Sequence, residues 1–165
     1  MSVKPGTFTI RAPGPEHRDR VREIVEGTGI FRDGEIEIAL EVFESAVEAP
    51  GTDYTPVGAF DEEGHLLGFA CYGPTPCTVG TWDLYWIAVD PSAHRQGVGR
   101  KLVEVIERHV GAEGGRLVVA ETSSRADYGP TRAFYEAMGY AVAARVAGFY
   151  APQDDLIVFT KRLAP

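Results

Sequence analysis

Apolar residues along this chain recur at two different periods, and the switches between them lay out the elements. Thr7 to Arg11 alternates as a short strand and stops at Ala12-Pro13-Gly14-Pro15. From about Glu16, the residues Val21, Ile24, Val25 and Thr28 share one face at helical spacing, until Gly27 and Gly29 break the helix. A second helix is predicted from about Gly34 to Glu48, with Ile36, Leu40, Phe43 and Val47 as its stripe. Glu35 and Glu37 fall in its first turn, where the helix dipole favours negative charge, and Ala49-Pro50-Gly51 stops it.

Val57 to Phe60 and Leu66 to Tyr72 flank Asp61-Glu62-Glu63-Gly64, which reads as a hairpin with glycine in its turn. Thr81 to Val89 is a strand rich in aromatic and branched residues, whose alternation puts Trp82, Leu84 and Trp86 on one face and Asp83, Tyr85 and Ile87 on the other. A third helix over Val98 to Val110 carries Val98, Leu102, Val105, Ile106 and His109 on one face and ends at Gly111 as a left-handed cap. Arg116 to Glu121 reads as a central strand buried on both faces. Pro130 to Met138 is a fourth helix closed by Gly139, and strands over Ala141 to Tyr150 and Asp155 to Arg162 finish the chain. The order β, α, α, β, β, β, α, β, α, β, β predicts an α/β fold: one mixed, mostly antiparallel sheet of six or seven strands with helices on both faces. No repeat, linker or composition shift divides residues 1–165, which points to a single domain.

Composition narrows the partners. Lys and Arg total 16 against 24 Asp and Glu, a formal net charge of −8, so nucleic acid and anionic membranes are not expected partners while cations such as amines are attracted. Met1 to Thr9 lacks the basic-then-apolar pattern of a signal peptide, and no apolar run approaches the ~20 residues of a membrane span, so a cytoplasmic protein is expected. Cys71 and Cys77 have neither the spacing of a redox pair nor histidines placed for zinc, and no metal is expected.

The chemistry concentrates in Ile87-Ala88-Val89-Asp90-Pro91-Ser92-Ala93-His94-Arg95-Gln96-Gly97-Val98-Gly99-Arg100-Lys101-Leu102. A strand ends, a loop follows, and two glycines open an amphipathic helix. Glycine lets backbone N–H groups approach a ligand, and the helix N-terminus adds partial positive charge, so the place suits phosphate. Arg95, Arg100 and Lys101 reinforce it in an otherwise acidic chain. A dinucleotide fingerprint would need a third glycine where Leu102 stands, and a Walker loop would need Gly-Lys-Ser/Thr where Gly99-Arg100-Lys101 stands. Both fail on residues, which leaves another pyrophosphate-bearing ligand or a merely structural turn.

This stretch resembles the pyrophosphate loop Arg/Gln-x-x-Gly-x-Gly/Ala of the GCN5-related N-acetyltransferases, the GNAT family, departing at His94 in the first position. Thr131-Arg132-Ala133-Phe134-Tyr135-Glu136-Ala137-Met138-Gly139-Tyr140 resembles a second segment of that family, Ala-x-x-Phe-Tyr-x-x-x-Gly-Phe. The resemblance runs from about Thr55 to Tyr140; the first fifty residues match only in element order. It implies the acyl-CoA N-acyltransferase fold and acetyl-CoA as acetyl donor, bound by Arg95, Gln96, Gly97, Val98, Gly99, Arg100 and Lys101, along Ile87, Ala88 and Val89, and at its sulfur end by Tyr135. A backbone N–H of Ile87 or Val89 would polarise the thioester carbonyl. Tyr135, near the sulfur in the family, would protonate the departing thiolate, a transfer between groups of similar basicity.

Direct attack by an amine also needs a base, since an ammonium must first lose a proton. The resemblance offers two carboxylates, Asp83 on the fourth strand and Glu121 at the end of the fifth. Glu121 follows the apolar run Leu117-Val118-Val119-Ala120, where partial desolvation would raise its pKa, and it is preferred. In the loop where the family often carries an asparagine, Tyr128 stands instead, and Arg125 is expected to pair with Asp127. The Glu35, Glu37, Glu41 and Glu44 series of the second helix is expected to be its solvated face.

The reading is acetyl transfer to a primary amine in a ternary complex, the acceptor being a small molecule in preference to a peptide. Its rivals are a protein or peptide N-acetyltransferase and a non-catalytic acyl-CoA-binding sensor. Pairing of two copies through the last strands, a homodimer, is an expectation by fold analogy alone.

Overall fold

The computed structural model describes residues 6–165. Strand β1 (Thr9–Arg11) is shorter than its alternation predicts, and a 3-10 turn at Pro15–His17 leads into helix α1 (Arg18–Gly27). Helix α2 (Asp33–Glu48), strands β2 (Thr55–Phe60), β3 (Leu66–Pro74) and β4 (Thr81–Val89), helix α3 (Val98–Ala112), strand β5 (Leu117–Ser123), helix α4 (Gly129–Ala137) and strands β6 (Ala141–Ala151) and β7 (Asp154–Arg162) follow. The predicted order holds, and most ends fall within two residues of the pattern.

The strands form one seven-stranded sheet in the order β1-β2-β3-β4-β5-β7-β6. Only β4 and β5 run parallel; every other neighbouring pair is antiparallel. Helices α1 and α2 cover one face, where Val21, Ile24, Val25, Leu40 and Phe43 pack on Phe60, Leu66, Phe69 and Cys71. On the other face α3 lays Val98, Leu102, Val103, Ile106 and Val110 against Ala59, Ala70, Leu84, Val118 and Phe159. Burial of these side chains, each worth roughly 1.5–3 kcal/mol, fixes the sheet between its two helical layers. Among the described residues no helix is long and apolar enough to cross a membrane.

Three expectations are corrected. First, α3 does not end at Gly111: it runs to Ala112, and the left-handed residue is Gly114 (φ +78°), with Gly114 N–H bonded to Gly111 O and Gly115 N–H to Val110 O. Second, β5 is not buried on both faces. Val118, Ala120 and Thr122 are buried, but Leu117 and Val119 are only partly so and Glu121 is exposed, because α1 and α2 pack on β2, β3 and β4 and stop short of β5. Third, β4 does not alternate throughout. Cys71 pairs with Trp86 and Tyr72 with Leu84, so Tyr85 is an extra residue, a bulge. Trp82 and Leu84 therefore share the α3 side with Ile87 and Val89, while Trp86 turns to the α1/α2 side.

Beside that bulge the sheet opens. β4 pairs with β5 only from Thr81↔Leu117 to Asp83↔Val119, whereas β5 stays paired with β7 as far as Ser123↔Leu156. Beyond Asp83 the two central strands diverge, leaving a wedge-shaped gap in the middle of the sheet.

Candidate active site

The gap is built from the β4 side by its backbone. Asp90 N–H donates to Leu67 O of β3 at 2.8 Å, so alternation turns the N–H groups of Ala88 and Trp86 toward β3 and those of Ile87 and Val89 toward the gap. Asp90 then starts the following loop: its carboxylate accepts the Ser92 N–H at 2.8 Å and meets the Arg20 guanidinium at 2.5 Å. Arg95 (φ +64°) and Gly97 (φ +81°) both adopt the left-handed conformation, curling the loop so that its N–H groups face inward. A Cβ at Gly97 would meet nothing within 4 Å, so glycine is required there by the backbone and not by space. Lys101 N–H makes the bond to Gly97 O that opens α3, which leaves the N–H groups of Val98, Gly99 and Arg100 free at the positive end of the helix dipole.

These groups border a cavity of about 540 Å³. Ile87, Ala88 and Val89 line it, as do Arg95, Gly97, Val98, Gly99 and Arg100. Three residues of the predicted cofactor-binding set stand outside it: Tyr135, which lines a second cavity, and two residues of the loop and helix. The Gln96 amide donates to Ser92 O at 3.3 Å, bracing the loop, and Lys101 lies 3.7 Å from Glu104 on the outer face of α3. His94, which departs from the family pattern, donates from Nε2 to Val89 O at 3.0 Å and so ties the loop to the strand end. The sequence did not point to Ile30, Phe31, Thr131 or Phe134, all of which line the cavity; the Phe134 ring would stand 3.4 Å from a Cβ at Gly99.

A second cavity of about 230 Å³ lies deeper in the gap and shares Ile30, Phe31, Ile87 and Thr131 with the first. Tyr135 and Glu121 both line it. The Tyr135 ring is 3% exposed and stacks on Phe159 with centroids 5.7 Å apart. Burial, then the neighbouring Tyr128, push its phenol well above the usual value, so it keeps its proton. Glu121 is accessible to solvent but sits in the concave wall; partial burial first, and then the negative charge of Asp83, raise its pKa above that of an ordinary glutamate. Asp83 itself lines neither cavity and accepts the Thr75 hydroxyl at 2.7 Å. The structure thus brings Tyr135 and Glu121 together and leaves Asp83 behind Glu121.

The loop between α1 and α2 roofs both cavities. Phe31 packs edge-on against Trp86 (4.9 Å) and Tyr128 (6.3 Å). Arg32 pairs with Asp154 of β7 at 3.0 Å, and Arg125 donates to Ile30 O while pairing with Asp127 at 3.2 Å. Tyr150 and Asp154, from the β6–β7 hairpin, complete the far wall of the smaller cavity. No local motif marks these residues, since their place depends on pairings across the whole sheet.

Neither cysteine takes part. Cys71 is buried with its thiol pushed up to about 12, and Cys77 is exposed in the β3–β4 turn. Asp61, Glu63 and His65 place ligand atoms within 4.8 Å of one another in the β2–β3 turn, but none lines either cavity. There Asp61 caps the turn: the His65 N–H, foremost, and the Glu63 N–H hold its carboxyl below the usual range.

None of the curated proteins compared with the chain matched it. Among solved structures, a protein assigned to the GNAT family of acetyltransferases, from Desulfovibrio desulfuricans, is 39% identical with a TM-score of 0.90, over 96% of this chain and 100% of that one. The ribosomal-protein-S18-alanine N-acetyltransferase of Escherichia coli (22% identity, TM-score 0.76, 96% of each chain) shares the fold. So does the yncA protein of Salmonella typhimurium, determined with its cofactor acetyl-CoA (18% identity, TM-score 0.74, 97% of this chain and 96% of that one). The model of the acetyltransferase (GNAT) family matches residues 20–140, which hold the gap, the amide loop and Tyr135. The chain belongs to the GNAT family of acetyltransferases.

Proposed function

We propose that the protein transfers the acetyl group of acetyl-CoA to a primary amine by direct attack in a ternary complex. One observation carries the reading: the β4–β5 gap joins an amide-lined cavity to a smaller one holding a protonated tyrosine and a carboxylate of raised pKa. The free N–H groups of Val98, Gly99 and Arg100, with the Arg95 and Arg100 side chains at the rim, suit a pyrophosphate. Ile87 and Val89 N–H, facing the gap, suit a thioester carbonyl whose oxygen gains negative charge during attack. The walls between, largely apolar, suit a pantetheine arm.

Glu121 takes the proton of the incoming ammonium, and its raised pKa brings it closer to the working pH expected of a base. Asp83 is a positioning residue here, acting through its charge on Glu121. Tyr135 gives its proton to the departing thiolate. The apolar surroundings that raise the phenol raise the thiolate's basicity too, so the transfer stays nearly matched. No cysteine lies at the gap for a covalent relay. The small cavity is roofed by the pinned Ile30–Arg32 loop, which favours a small amine over a peptide that would need an open groove.

The test is thiol release from acetyl-CoA with a panel of small amines, followed by mass spectrometry of the amine. An N-acetylated product is expected, and Tyr135→Phe should lower kcat by about 10²-fold or more with little change in acetyl-CoA affinity. Unchanged turnover in that variant would remove Tyr135 from the chemistry, and release without an acetylated amine would overturn the transfer.

A further inference from the structure

The smaller cavity carries more information than its two reacting groups. At about 230 Å³ it lies below the roughly 300–1,000 Å³ of sites that take drug-sized ligands. Three carboxylates line it, from three separate elements: Glu35 in the first turn of α2, Glu121 on β5 and Asp154 at the start of β7. They are not equivalent. Asp154 is 5% exposed and already neutralised, by Arg32 at 3.0 Å and by the Ser123 hydroxyl. Arg125, the cation in the lining, is taken up by Asp127 and Ile30 O. Glu37 and Glu44, elsewhere on α2, pair with Arg22 and Arg18, as expected of a solvated face. Glu35 is the exception to that expectation. One of its oxygens accepts the Arg32 N–H at 2.6 Å, closing a capping box, and among the described residues it has no cation at ion-pair distance.

Five rings share the lining with Glu35 and Glu121, those of Phe31, Tyr85, Trp86, Tyr128 and Tyr150, beside aliphatic and hydroxyl side chains. Ring faces and unpaired carboxylates are the two surfaces that hold an organic cation. The groups facing Tyr150 report the field: burial first, then Glu121, Asp154 and Glu35, push its phenol up to about 12. Tyr135, 3% exposed, borders the same cavity.

Resting on the acetyl-transfer reading, we propose that the acceptor is a short aliphatic diamine, or an aminoalkyl cation of that length. Its reacting amine lies at Glu121 and Tyr135. Its second cation lies at Glu35 against the ring of Tyr150, the Tyr128 ring being already covered by the Arg125 guanidinium at 5.3 Å.

The experiment titrates three probes of equal length into the protein by calorimetry: 1,4-diaminobutane, 1-aminobutane and 4-aminobutanoate. The diamine should bind about tenfold more tightly than the monoamine, and the amino acid more weakly still, because a second desolvated cation gains what a carboxylate loses. In Glu35→Gln, which retains an oxygen for the capping box and removes the charge, the diamine and monoamine should bind within about twofold of each other. Equal affinities in the wild-type protein, or a diamine preference that survives Glu35→Gln, would overturn the proposal. Thiol release with the same probes separates the two readings. A Glu35-dependent diamine preference in binding without any acetylation would leave the site and remove the transferase, whereas acetylation with no diamine preference would leave the transferase and remove this acceptor.

Discussion

At the scale of single residues, the site depends on how burial divides similar groups into different roles. Tyr135 and Tyr128 are both raised above an ordinary phenol by burial, but Tyr135 is the one locked on Phe159 beneath the gap. Glu121 and Asp83 face a similar division: Glu121 lines the cavity, while Asp83 stands behind it with the Thr75 hydroxyl on its carboxylate. A base works only when ionised, so kcat/KM should rise with pH through the raised pKa of Glu121, above the ~4.3 of an unperturbed glutamate. Glu121→Gln should remove that acid limb and lower kcat by roughly 10²-fold or more. A pH–rate profile with the same acid limb in the variant would assign the limb to another group. Stability runs the other way. A carboxyl raised in the folded state is penalised once pH exceeds its ordinary pKa, so Glu121→Gln should be no less stable than wild type at neutral pH.

At the scale of elements, the decisive features are where β4 stops pairing with β5 and how the chain leaves it. The strand, the glycine-opened helix and the helix closed at Gly139 were legible from period and punctuation, because each depends on residues within a turn or two of one another. The bulge at Tyr85 was not: nothing local, neither glycine nor proline, marks it, and the register with β3 decides it. The same holds for the exposed face of β5, which depends on how far α1 and α2 reach. The pattern points to Gly111 as the cap of α3 because it is the first glycine after the stripe, yet the chain waits for Gly114 to turn left-handed. Asp90 ties strand end to loop. Burial alone would raise its pKa, but Ser92 and the Arg20 guanidinium outweigh burial and hold the carboxyl below its usual range. Its contribution is therefore present above the ordinary aspartate value of about 3.9 and is lost as pH falls through the depressed folded value. Asp90→Ala should cost about 1–2 kcal/mol at neutral pH, the usual loss for a capping carboxylate. The gap between variant and wild type, read by urea unfolding, should close in acid; a gap independent of pH would assign the cost to packing.

At the scale of the molecule, distant parts of the chain meet at one gap. The amide loop was visible in the sequence because six consecutive residues carry it, and Tyr135 because its segment resembles a known one. The wall of the smaller cavity could not be assembled from local pattern, since Phe31 comes from the loop between α1 and α2, Glu35 from α2, Tyr128 from the turn before α4, and Tyr150 and Asp154 from the final hairpin. The pattern assigns Glu35, Glu37, Glu41 and Glu44 of α2 to solvent; the fold sets Glu35 apart because the roof loop folds back over β4. The account stands on the amide loop holding a pyrophosphate at the mouth of the gap, and calorimetric titration of acetyl-CoA into wild type and Gly97→Val tests this most directly. Gly97 is left-handed with open space around its Cα, so valine strains the loop without touching the core. The account predicts micromolar binding at one site in the wild type, with ATP and NAD giving none, and its loss in a Gly97→Val protein that unfolds cooperatively like the parent. Equal affinity in the two proteins, or no binding in the wild type, would contradict it.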